Sequence, residues 1–297
     1  MGNAMEGRSR RRQVRLPTPL KQEQGVSGAI TAMLIILIIG SVIGLIYSVY
    51  IPMWTKDAEA DQMAETQRQF LTLKETLDTQ VVSPESAVGT TVNTRISLGQ
   101  DGGPIFGVGG TTGALDVNPL AGRLEVYNLL DANETYGLGR GTISFNSSNQ
   151  QYLQQRFSYE IGALIIAQDE GAVMKVPPHF LARNTTRGDY EVTLTVPALV
   201  GNREQVSGTG SYVIQSTLEV VDTNDFSLAD AQIGIDLSTE FPVLWSAYFS
   251  ASLENDSALL APEYNVTSDT TAGTVHLEFY GVDRLRVNVA VLSVGIL

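Results

Sequence analysis

From Val26 to Ile51 no residue carries a charge. As an α-helix at 1.5 Å per residue, this run is roughly 39 Å long, more than the hydrocarbon core of a bilayer, about 30 Å. It can therefore span a membrane with some tilt. A cleaved secretory signal has an apolar centre of about 7–15 residues and a small-residue cut site. This run is longer, has no Ala-x-Ala pattern at its end and passes into Pro52, Met53 and Trp54. The expectation is a helix that stays in the mature chain.

The flanks predict its direction. Arg8, Arg10, Arg11, Arg12, Arg15 and Lys21 stand against Glu6 and Glu23, a local charge of +4, whereas the whole chain carries −13. Positive flanks stay cytoplasmic, so the N-terminus is expected inside and everything after Ile51 outside. The remaining chain is strongly acidic. That disfavours a nucleic-acid partner, which needs a basic surface. With no cysteine, an outside domain must stand on its own core, and its length permits one.

After the apolar run, residues 55–80 contain no Gly or Pro, and Met63, Phe70 and Leu77 recur at seven-residue spacing with Leu73 on the same face. This predicts an amphipathic helix that docks, entered through a bend near Pro52. Beyond Val81 the pattern becomes that of strands. A glycine-rich loop, Gly99–Gly113, lacks any phosphate-binding motif. Alternation then marks strands around Leu124/Val126, Ile143/Phe145 and Val192/Leu194/Val196, and one long strand over Gly210–Val221. Ala163–Pro178 reads as strand, turn, strand, stopped by Pro177 and Pro178. Val275, Leu277 and Phe279, then Leu285, Val287, Val289 and Val291, read as a hairpin with its turn at 280–284. One helix interrupts, capped by Ser238 or Thr239, with Pro242 in its first turn and an apolar face of Val243, Leu244, Ala247, Tyr248 and Ala251. The predicted fold is α+β: a long N-terminal helix followed by a mainly antiparallel, β-sandwich-like head with one covering helix. Its segments are a basic leader, 1–25; an apolar transmembrane or packing helix, 26–51; an amphipathic continuation, 52–80; and a β-rich head, 81–297.

Chemistry is sparse. His179 and His276 are the two histidines, and without cysteine the common zinc sets are excluded. Neither a Gly-x-Ser-x-Gly elbow nor a His-Glu-x-x-His helix occurs. Asp222–Asp225 opens like a calcium loop, but Phe226 stands at a ligand position, so a turn is expected. No catalytic, cofactor-binding or metal-binding residue is assigned. Asn-x-Ser/Thr sequons occur at Asn133, Asn146, Asn184, Asn255 and Asn265, all on the side expected outside, where glycan acceptors must lie. In the apolar run, Gly28, Ala32, Gly40, Gly44 and Ser48 fall on an i, i+4 series broken only by Ile36. Small residues so spaced let helix backbones approach closely.

The basic leader, the stretch QEQG followed by VSGAI (Gln22–Ile30), the apolar helix, its amphipathic continuation and a β head together resemble an archaeal type IV pilin-like protein with a class III signal peptide. The segment YEIGALIIAQDEGAVMKVPPHF (Tyr159–Phe180) also looks like one that recurs in uncharacterised membrane-anchored proteins of haloarchaea and methanogens. The resemblance implies removal of the leader between Gly25 and Val26 by a prepilin-type peptidase, retention of the helix and handling by pilus assembly machinery. Many such pilins carry Glu at the fifth mature position; here that position is Ile30.

Three functions compete. The first is a filament subunit that assembles with copies of itself through the apolar helix. The second is a permanently membrane-anchored surface protein that binds or adheres through its head. The third is an ectoenzyme, disfavoured because no acid–base, nucleophile or metal set is visible. The expected location is the cell membrane, head outside, with a surface filament as the assembled form.

Overall fold

The computed structural model describes residues 22–82, 88–102, 110–131, 133–184, 190–256 and 263–297. Most of the basic leader and residues 103–109 of the glycine-rich loop lie outside the described residues. The chain divides into two compact units, Met1–Ile51 and Pro52–Leu297.

In the first unit, α1 (Gln22–Leu45) is followed by a π-helical stretch, Ile46–Tyr50, in which the Ile51 N–H reaches the Ile46 carbonyl. This π-type turn falls just before Pro52, where the ring disfavours ordinary helical bonding. Every side chain from Gly28 to Leu45 is exposed. The described residues hold one helix long and apolar enough to cross a membrane.

All of α2 (Ile51–Val82) but its first residue belongs to the second unit. Met63, Phe70, Leu73 and Leu77, the residues of the seven-residue stripe, are all buried. Among the described residues twelve strands follow, in one sheet. They are β1 (Thr91–Gly99), β2 (Gly113–Asn128), β3 (Thr135–Ser147), β4 (Gln155–Glu160), β5 (Ala163–Gln168), β6 (Gly171–Val176), β7 (Phe180–Asn184), β8 (Tyr190–Val200), β9 (Glu204–Gly208), β10 (Gly210–Ser238), β11 (Tyr264–Asp269) and β12 (Thr274–Ile296). The order is β6-β5-β4-β3-β2-β10-β12-β8-β7, with β1 on β10, β9 on β2 and β11 on β12. Pairing between these strands is antiparallel except for β8 with β12 and a single contact of β8 with β3 at Ala198 and Arg140; outside them, Val88 makes an isolated parallel bridge to Leu218. One short helix, α3 (Pro242–Ala251), covers part of the sheet. The expected class, a helix followed by a mainly antiparallel head with one covering helix, is the class observed.

The long strands serve two cores. Under α2, its apolar face meets Ile96, Leu115, Phe145, Phe157 and Leu292, with the Phe70 and Phe157 rings 5.8 Å apart. Under α3, Trp245 and Phe249 join Ile165, Leu194, Ile235 and Phe279. In β12 the inward residues are Val275, Leu277, Phe279, Leu285 and Val287 in the α3 core, but Ala290, Leu292 and Val294 in the α2 core. Neighbouring β8 changes in the same way, from Val192, Leu194 and Val196 to Leu199. The pairing between β8 and β12 is unbroken from Arg284↔Glu191 to Ser293↔Val200, so the change of parity is a change of face. The two cores lie on opposite faces of shared strands.

Three expectations are corrected. Residues 280–284 are not a turn: β12 runs straight through them, because Gly281 at φ 85° forms a bulge opposite irregular pairing at Ser227–Gln232. The strand expected over Gly210–Val221 continues to Ser238 as its partner, so Asp222–Asp225 is extended strand too. In α3 the buried residues are Pro242, Trp245 and Phe249, whereas Val243 is 63 % exposed. The helix is apolar around most of its circumference, so the large aromatic rings choose the face. Its N-cap is Phe241 without a side-chain cap; Thr239 Oγ1 instead accepts the Phe241 N–H at 3.0 Å.

Candidate functional site

On α1 the small residues Gly28, Ala32, Gly40 and Gly44 are exposed, as is Ser48 in the π-helical stretch that follows. No atom lies within 4 Å of where a side chain would begin at Gly28, Gly40 or Gly44. The row is thus an open surface, among exposed Ile, Leu and Val side chains. Gly25 and Val26 lie in the helical backbone of α1, near its start.

On α2 the apolar stripe is interleaved with polar residues that bolt the helix to the sheet. The Glu59 carboxylate accepts the backbone N–H groups of Gln150, Gln151 and Tyr152 at 2.6, 2.8 and 2.6 Å. Gln62 donates to the Ser97 carbonyl at 2.9 Å, and Gln69 accepts the Ser97 N–H at 2.8 Å. Gln80 donates to the Thr90 and Ser216 carbonyls and accepts from the Ser216 hydroxyl. Lys74, fully buried, pairs with Asp78, whose carboxylate also meets His179 Nε2 at 3.2 Å. Sequence reasoning missed these anchors. Glu59, Lys74 and Gln80 share the three- and four-residue steps of the apolar stripe, which was the available signal.

The second histidine, His276, sits on the outer face of the sheet. Its Nδ1 lies 2.7 Å from Asp236 Oδ1, which also accepts from the Tyr127 hydroxyl at 3.2 Å. Burial, and then the Asp236 charge, push the Tyr127 phenol up to about 12. Tyr127 lies against Gly234, where a Cβ would come within 2.5 Å of the ring. Beside it, Glu278 accepts from Tyr280 at 2.6 Å and from Asn265 at 3.1 Å, and these bonds hold its carboxyl below its ordinary value. Both histidines are partly exposed and each has a carboxylate neighbour, found only in the fold. Asp225, in the expected turn, is clamped by Arg284 and Arg286, which hold its carboxyl well below the usual range. Among the described residues no group of three or more His, Cys, Asp or Glu is placed to hold a metal.

A buried carboxyl faces the start of α3. Glu160 ends β4, and the two residues after it both take positive φ, Ile161 at 46° and Gly162 at 78°. They make the tight turn into β5, an uncommon conformation for a β-branched residue. Burial pushes the Glu160 carboxyl up to about 7; Glu240 adds to this, while Thr239 and Arg156 oppose it.

Of the sequons, Asn133, Asn146, Asn184 and Asn265 are exposed, on the β2–β3 connection, β3, β7 and β11. Asn255 lies in a π-helical turn, Ser252–Asp256. These positions are scattered over the head and do not form one site.

No curated protein and no solved structure matches the chain. A family profile matches residues 127–295, from the last two residues of β2 almost to the end of β12. Helix α2 and β1, which complete one of the two cores, lie outside that stretch. By this match over more than half its length, the chain belongs to the family of unknown function DUF7289.

Proposed function

We propose that this is a non-enzymatic cell-surface protein, a filament subunit of the archaeal type IV pilin-like kind. In this reading the basic leader stays in the cytoplasm and a prepilin-type peptidase cuts between Gly25 and Val26. The head stands outside, and the α1 helices of successive copies pack together. The observation that carries it is the open row Gly28, Ala32, Gly40, Gly44 and Ser48 on an apolar helix, followed in the chain by a helix built into the head's own core. In lipid, apolar helices gain little by hiding from their solvent, so close approach at small residues is what associates them.

The test is to shear cells and examine the released material. Filaments whose protein begins at Val26 support the reading. A chain that begins at Met1, or that stays with the membrane as monomers, sinks it.

The alternative is a permanently anchored surface protein that binds or adheres through its head. Ile30 favours it, because the fifth mature position then lacks the carboxylate that would pair with a neighbour's new amino terminus.

A further inference from the structure

A cleft of about 530 Å³ opens beside the end of α2, on the face of the sheet that α2 packs against. Its floor is a row across three strands: Thr223 on β10 pairs with Asn288 on β12, and Asn288 with Thr195 on β8. Thr193 extends the floor by one step of the same strand face, and His179 closes one end, its carbonyl accepting the Thr195 N–H at 2.9 Å. The rest of the lining is apolar and includes Phe180, Val82, which is 64 % exposed, and Leu181, which is 48 % exposed. The volume falls in the range of small-molecule sites, and apolar walls with a few convergent polar groups are their usual make-up.

We infer that this cleft binds a neutral saccharide. Three hydroxyls and a carboxamide each donate and accept, as sugar hydroxyls require. Asn288 Nδ2 and Thr195 Oγ1 lie 3.4 Å apart, a loose bond that a ligand hydroxyl can replace with shorter ones. Among the described lining residues there is no Asp, Glu, Lys or Arg. A phosphate, sulfate or carboxylate ligand would find no guanidinium or ammonium to meet it. A lipid or aromatic ligand would leave the floor's donors and acceptors buried and unpaired. A pyranose satisfies both surfaces, with its hydroxyls on the floor and its C–H faces on Val82 and Leu181. His179 is held by Asp78, itself tied to buried Lys74, so the rim of the cleft is anchored to the docked helix. This assignment goes beyond the filament reading and does not depend on it.

The experiment uses the full chain in lipid nanodiscs, free of sugar-headed detergent. Saturation-transfer NMR is recorded with the methyl pyranosides of glucose, galactose and mannose and with glucose 6-phosphate. At least one glycoside should receive saturation, and glucose 6-phosphate should bind no better than its neutral parent. Asn288→Leu and, separately, Thr195→Val should each weaken binding tenfold or more, with thermal melts within a few degrees of the unchanged protein. Should Asn288→Leu fail to fold, Thr195→Val, which keeps the shape of the side chain, carries the test. Val243→Ser, at an exposed position that does not line the cleft, should bind as the unchanged protein does. The inference is overturned if no glycoside receives saturation, if the phosphate binds best, or if Thr195→Val binds normally.

Discussion

The Glu59 carboxylate on α2 accepts the backbone N–H of Tyr152 at 2.6 Å, and the same carboxylate takes the two preceding amides. Three donors from one turn of chain converge on a charge that is itself buried. The loop between β3 and β4 is thereby held by a helix from outside the family-matched region. A buried carboxylate with fewer partners would be costly, so the arrangement ties the fate of the loop to the docking of α2.

Glu59→Ala should therefore destabilise the head by about 2–4 kcal/mol, since three amides lose a charged acceptor and stay partly buried. Urea unfolding is the measurement. A midpoint unchanged from the natural protein would show that α2 docks through its apolar stripe alone.

Glu160 makes stability depend on pH. Its carboxyl sits at about 7 in the fold against 4.5 ordinarily, mainly through burial. Between those values the folded chain holds a proton that the unfolded chain has released. Stability contributed at this site is therefore intact below about 4.5, declines as pH rises towards 7, and stays low above it. Glu160→Gln keeps the shape and removes the charge. It should raise the melting temperature at pH 8, by a stabilisation on the order of 3 kcal/mol, and change little at pH 4. Equal effects at both pH values would reject the assignment.

Replacing Gly40 and Gly44 together by Leu keeps the span apolar but holds neighbouring backbones apart. Nothing stands within 4 Å of either position inside one chain, so the protomer should insert and fold as before. Crosslinked oligomers or sheared filaments should disappear. Persistence of either in the double variant would refute packing through this row.

Glycans should occupy some of Asn133, Asn146, Asn184, Asn255 and Asn265, four of which present exposed side chains in the fold. The intact mass of protein from its native cells decides: a mass equal to the bare mature chain rejects the expectation. Loss of the added mass on Asn→Gln replacement would identify the occupied positions.

What the sequence determined by itself was local. The uncharged stretch from Val26 and the seven-residue stripe of Met63, Phe70 and Leu77 are each one period of one element, and the physics that reads them needs only neighbours along the chain. The turn at Asp169 and Glu170 and the stop at Pro177 and Pro178 were legible for the same reason. What tertiary structure decided was which of two acceptable faces is buried. From Val287 to Leu292 β12 reads Val-Asn-Val-Ala-Val-Leu, apolar on both sides from Val289 onward, so alternation cannot say where the inward face changes. The second core, built by α2 on the opposite side, makes that choice. In α3, with apolar residues almost all round, the space beneath Trp245 and Phe249 chose the face. The partners of the histidines, Asp78 and Asp236, were hidden for a related reason. Each stands on an element far from its histidine in the chain, and only sheet register and helix docking bring the pairs within reach.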